Sequence, residues 1–287
     1  MRIIFIADYF ADEYIGGSEL SIQTHINSCL YDYLKVKSSQ LDLSKLDKEN
    51  DFLVFGNFSK LPAHCFFELQ KGWHYVVEEC DYKYCEYRSK HKHEFITGHP
   101  CQCEKYSGLI IRDFFLKAKH LFWKSEGQRD EYYRLFPELK EIPSDIIGGV
   151  FSREDLDYIL SLKNTKRDDR YFILKSDSWI KGYGEALAYC KEHKLPYRIV
   201  GNIPYRQALK EMARSEGIVY LPRGFDPSCR MITEAKLLGL DIRTNDLVQH
   251  MKEAWFNSGE EGMLAFLRSR DKQFWEVLSV LQAGLVA

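Results

Sequence analysis

Residues 217–244 set the strongest limit on what this chain can fold into. Ile218 to Leu221 is a strand-length apolar run, a polar loop follows, then a helix, then a second short strand ending at Thr244. The loop empties into the helix near Ser228, Cys229 and Arg230, so unpaired backbone N–H groups and the positive end of the helix face whatever lies above the sheet. That is a seat for a diphosphate. Asp226 stands before the helix and Glu234 within it, with seven residues between them. Carboxylates on either side of a phosphate seat suit sugar and ribose hydroxyls, which bond well to charged acceptors.

The same grammar recurs along the chain. Residues 2–7 are a continuous apolar run, as expected of a central parallel strand covered on both faces. Gly16, Gly17 and a helical pattern through Ile22, Ile26 and Leu30 follow. Further strands are expected at 51–56, 73–78, 119–124, 171–175 and 197–201. Helices are expected at 107–118, 181–192 and 205–214. Alternation of this kind implies parallel, doubly wound sheets. Pro137, Pro143 and Gly148-Gly149 mark a change of domain. The expected organisation is therefore two Rossmann-like α/β domains, 1–148 and 149–250, with C-terminal helices over 251–287. The tail pattern from Asn245 onward reads as helical and amphipathic, which would let it pack back on the first domain.

Bulk properties exclude several classes. With 287 residues, 45% hydrophobic and 14% aromatic, the chain can bury sizeable cores and is not of disordered composition. A net charge of −2 argues against a strongly basic nucleic-acid binder at the level of the whole chain. No run reaches the length of a membrane span, and the N-terminal apolar run is too short for a signal-peptide core. A cytoplasmic location follows as an expectation, with the eight cysteines as thiols or metal ligands.

Four features occur in order along the chain: Gly16-Gly17, the strand-end pair Cys80-Asp81, Lys181-Gly182, and a loop with Pro222, Asp226, Glu234, Ala235 and Gly239 in register. Together they resemble the retaining GT-B glycosyltransferases, particularly the large family four. The chain departs from the family in having Asp226 for the usual glutamate, Pro227-Ser228-Cys229 for the usual Gly-Phe-Gly, and Cys80 for the usual histidine. It would be a short, phage-type member. The resemblance implies transfer of a sugar from a nucleoside-diphosphate donor, such as a UDP-sugar, to a hydroxyl acceptor with retention and without an essential metal. It assigns Lys175 and Lys181 to the diphosphate together with Ser228, Cys229 and Arg230 at the helix start. Glu234 would hold the ribose, Asp226 the sugar, and Gly16 and Gly17 a further part of the donor. Asp81 is the candidate base for the acceptor proton. The acceptor could be a hydroxymethylated pyrimidine in DNA or a cell-surface glycan. Two other readings stay open: a nucleotide-sugar epimerase of the same fold, and a non-catalytic nucleic-acid-binding protein derived from a glycosyltransferase.

Residues 80–103 hold Cys80, Cys85, His91, His93, His99, Cys101 and Cys103. A structural zinc needs four such groups to converge, for example Cys85, His99, Cys101 and Cys103. The spacing is not a standard zinc pattern, so free thiols in a solvated loop are the competing expectation. The same segment is basic and aromatic, with Tyr82, Lys83, Tyr84, Tyr87, Arg88, Lys90, Lys92 and Phe95, a composition that suits phosphates and stacked bases.

Overall fold

The computed structural model describes residues 2–286, with side chains described through residue 284. Contacts divide the chain into one unit of Met1–Phe151 with Ala265–Ala287 and a second of Ser152–Leu264. Both are α/β units of the Rossmann-like kind.

The first unit runs β1 (Arg2–Ala7), α1 (Gly17–Asn27), β2 (Tyr33–Lys37), β3 (Asp51–Phe55), α2 (Ala63–Leu69) and β4 (Tyr75–Glu79). It continues through α3 (Lys90–Thr97), α4 (Ser107–Leu116), β5 (His120–Trp123), α5 (Glu126–Leu135) and β6 (Ser144–Ile146). Six parallel strands lie in the order β2-β1-β3-β4-β5-β6. Every residue of β3, β4 and β5 is buried, which is why each carries an apolar stretch, with Asp51, Glu78, Glu79 and His120 as buried polar residues at the strand ends. A central core joins Ile3, Phe5, Ile22, Phe52, Val76 and Phe122.

The second unit runs α6 (Arg153–Ser161), β7 (Tyr171–Leu174), α7 (Tyr183–Glu192), β8 (Tyr197–Val200), α8 (Tyr205–Ala213), β9 (Gly217–Tyr220), α9 (Arg230–Leu237) and β10 (Asp241–Thr244). Its four parallel strands lie in the order β10-β9-β7-β8. The chain ends on α10 (Gly259–Val286), whose residues from Ala265 onward belong to the first unit, with Phe274 and Leu278 in that unit's core. No helix among the described residues is long and apolar enough to cross a membrane.

Four elements differ from the expectations. β2 and β6 carry no apolar run: they are the edge strands of the first sheet, and β2 is exposed over most of its length. The tail is one helix of 28 residues rather than several. Residues 245–258 form only short 3-10 turns at Gln249–Lys252 and Trp255–Asn257, with Val248 and Phe256 buried.

Candidate functional site

In the second sheet the chain passes from β7 to β8 on one side and later to β9 on the other. The loops leaving β7 and β9 therefore part in opposite directions, and open α/β sheets bind their ligands at such a switch point. Residues 175–182 form one loop and 221–229 the other. They are laced together by Arg223 N–H donating to the Ile180 carbonyl at 3.1 Å and by Lys181 Nζ donating to Asp226 Oδ2 at 3.0 Å. Gly182 makes this approach possible. Its φ is +59°, and a Cβ there would lie 1.7 Å from the Leu221 carbonyl oxygen. Lys175 is exposed at the head of the same loop.

Asp226 also accepts from the Tyr220 hydroxyl. Burial pushes its carboxyl up, but Lys181 and Tyr220 outweigh burial and hold it below the usual carboxylate range. His250 lies against the same group. Its ring is fully buried and stacks on Trp255 at 5.8 Å, and desolvation drives its pKa down to about 4. Burial likewise pushes the Cys229 thiol up to about 12, so it sits at the start of α9 as a neutral, apolar filler.

Glu234 and Arg230 share one face of α9. Glu234 Oε1 accepts from Tyr205 Oη at 2.7 Å and stands 3.7 Å from Arg230 Nε. Arg230 reaches on to Tyr205 Oη at 3.3 Å and to Asp155 Oδ2 at 3.5 Å. Burial raises the Glu234 carboxyl, with Arg230 and Tyr205 opposing it. The Arg230 guanidinium thus faces Glu234, Tyr205 and Asp155. No side chain caps α9, and Ser228 Oγ beside its start is buried with no hydrogen-bond partner among the described residues.

In the first unit, Gly16 is the N-cap of α1 and Gly17 its first residue. Glu19 folds its carboxylate over Gly16 and accepts from Ser18 Oγ at 3.0 Å, so this helix start already carries an anion of the chain itself. Asp81 accepts from Lys83 Nζ at 2.9 Å and from Arg88 Nε at 2.5 Å. Burial raises its carboxyl, but the two cations hold it below the ordinary range, which makes it a weak base in this arrangement. Glu79, beside it, is driven up to about 7 by burial while accepting from Tyr132 Oη at 2.9 Å and Lys83 Nζ at 3.2 Å.

The cysteine and histidine cluster does converge, with one correction. Cys85, His93, Cys101 and Cys103 bring their ligand atoms within 4.8 Å of one another, a set that could hold a metal ion. His93 takes the place expected of His99, which is exposed and outside the cluster. The reason is helical geometry. His93 lies in the first turn of α3, facing the cysteines, whereas His99 follows the αL cap at Gly98 that turns the chain away. All eight cysteines are free.

No model of a known protein family matches the sequence, and no curated protein is significantly similar to it.

Of the expected site residues, the structure brings Lys181 to Asp226, and Glu234 to Arg230, with Ser228 and Cys229 at the start of α9. Asp155, Tyr205, Tyr220 and His250 complete these groups and were not expected from the sequence. Nothing in the local pattern distinguishes Asp155 or His250, which arrive from distant segments.

Proposed function

We propose that the chain is a glycosyltransferase that transfers a sugar from a nucleoside-diphosphate donor to a hydroxyl acceptor, with retention of configuration. The observation that carries this reading is the Lys181–Asp226 pair bridging the loops at the switch point of the second sheet, with α9 uncapped beside it. The α9 start, the Ser228 hydroxyl and the Lys175 and Lys181 ammonium groups supply donors and positive charge for a diphosphate. They stabilise the charge that develops as it departs. Glu234, held by Tyr205 and Arg230 at the face of α9, supplies the carboxylate for ribose hydroxyls. Asp226 recognises the sugar through a carboxylate that Lys181 keeps ionised. Arg230 acts through Glu234, by neutralising and orienting it. The chemistry asks nothing of a metal ion, and the metal that the Cys/His cluster would hold has a structural place.

The test is release of nucleoside diphosphate from UDP-, GDP- and ADP-sugars, with and without hydroxyl acceptors that include hydroxymethylated DNA and oligosaccharides. Acceptor-dependent release from one donor family, lost in Lys181→Ala, supports the reading. A second reading, a nucleic-acid-binding protein without catalysis, is favoured by the double ion pair that quenches Asp81 and by the exposure of Phe95 and Tyr106 among lysines. It predicts nucleic-acid binding unaffected by Glu234→Gln and no release from any donor.

A further inference from the structure

The segment between β4 and α4 poses a packing problem. α3 lies within it, capped by Ser89 at one end and Gly98 at the other, and none of its eight residues is buried. Its largest apolar side chains, Phe95 and Ile96, are 62% and 50% exposed. An eight-residue helix is too short to hold its shape in water without tertiary contacts. Lys90 Nζ reaches Glu131 Oε1 at 2.9 Å, a partly exposed pair of the kind that adds little stability. His93 turns its ring toward the cysteines.

His93 Nδ1 lies 3.4 Å from Cys103 Sγ and 3.9 Å from Cys85 Sγ, and Cys101 Sγ lies 3.6 Å from Cys85 Sγ. A disulfide would bring two sulfurs to about 2.05 Å, so these are separate thiols. A zinc ion at about 2.3 Å from sulfur and about 2.0 Å from nitrogen sets tetrahedral edges of roughly 3.8 Å between sulfurs and roughly 3.6 Å between sulfur and nitrogen. These three separations lie close to those edges, and all four ligand atoms lie within 4.8 Å of one another. Three sulfurs and one imidazole are also the donor set that selects zinc over oxygen-seeking cations.

The four ligands come from separate local pieces: the turn at Cys85, α3, the irregular stretch at Cys101, and the 3-10 turn Cys103–Lys105. Gly108, at the start of α4, brings two of these pieces close. A Cβ there would lie 2.8 Å from the Cys103 carbonyl oxygen and 3.1 Å from that of Tyr84.

We infer that Cys85, His93, Cys101 and Cys103 form a tetrahedral structural zinc site, with His93 binding through Nδ1, and that the ion fastens α3 to the first unit. Binding releases the three thiol protons and couples the order of residues 85–103 to metal occupancy. The inference is independent of the proposed sugar transfer.

The test is metal analysis of the full chain, purified without a histidine tag and without added metal. Zinc is expected at one ion per chain, retained in His99→Ala and lost in His93→Ala and Cys103→Ser. Stepwise blocking of thiols in the wild type with a mercurial reagent provides a check that needs no variant, and zinc release should track the blocking of three thiols. Chelation should also open the lysine- and arginine-rich 88–105 segment to trypsin while the rest of the chain resists. Absence of zinc, iron in its place, or full retention of zinc in His93→Ala would overturn the inference.

Discussion

Lys181 Nζ lies 3.0 Å from Asp226 Oδ2, joining the loop after β7 to the loop after β9 across the point where the second sheet reverses its strand order. Asp226 is nearly fully buried and Lys181 only partly so. Replacing Lys181 by Met therefore leaves a buried carboxylate without its cation, supported by the Tyr220 hydroxyl. The expected cost is about 1.5–3 kcal/mol near neutral pH, the range for a hydrogen bond to a charged group. The sign with pH is fixed by the depressed carboxyl of Asp226. Its contribution is present above the unfolded value of about 3.9 and fades as the pH falls through the folded value. Thermal melts of wild type and Lys181→Met should differ fully at pH 7 and converge below about pH 4. A gap that stays constant down to pH 3 would remove the charge from this account.

His250 should govern a different window. Its folded pKa is lowered to about 4 by burial, so it remains neutral in the fold while the unfolded chain takes up a proton near pH 6.5. Its contribution is present above about pH 6.5 and is lost as the pH falls towards about 4. At about 1.4 kcal/mol per pH unit the full loss is roughly 3 kcal/mol. Denaturant melts of wild type and His250→Gln between pH 7 and pH 4 should show the wild type losing stability more steeply. Parallel slopes would contradict the burial argument.

Gly182 is the tightest backbone approach in the second unit. An alanine there must tolerate a φ of +59° and relieve a contact of 1.7 Å with the Leu221 carbonyl oxygen. Gly182→Ala should lose at least about 2 kcal/mol of stability, because the strained backbone and the clash add. Gly184→Ala is the matched control: a Cβ at that position in α7 meets nothing within 4 Å, and its melting temperature should be unchanged or slightly higher. Equal effects of the two substitutions would show that the loops are free to part.

The two α/β units were legible in the sequence because their central strands are covered on both faces and read as apolar runs, as at residues 3–7 and 52–55. The edge strands β2 and β6 lacked that signature, since one side of an edge strand has no partner to bury it. At the site, Lys181, Asp226 and Glu234 were visible because loop, helix start and carboxylate spacing are local. Tyr205, Asp155 and His250 were not, because each reaches its partner from a separate element and the sheet order alone brings them together. The metal cluster shows the same divide. Composition located it within residues 80–103, but choosing His93 over His99 required knowing where α3 begins and where Gly98 ends it.

Lys175 provides a variant that separates ligand binding from folding. It is exposed at the strand end, so Lys175→Ala should melt at the wild-type temperature within about 0.5 kcal/mol, as surface substitutions do. The same variant should bind a nucleoside diphosphate more weakly. An unchanged affinity would take Lys175 out of the diphosphate site.

The most direct measurement is a thermal-shift panel of nucleoside diphosphates and their sugar conjugates on wild type, Lys175→Ala and Glu234→Gln. A ligand present at 100 times its dissociation constant adds about 2.7 kcal/mol to the native state, enough for a clear rise in melting temperature. The account predicts such a rise for one nucleoside-diphosphate family, reduced in both variants. No rise with any nucleoside diphosphate, or a rise of equal size in all three proteins, would contradict the donor site at the β7–β9 switch point.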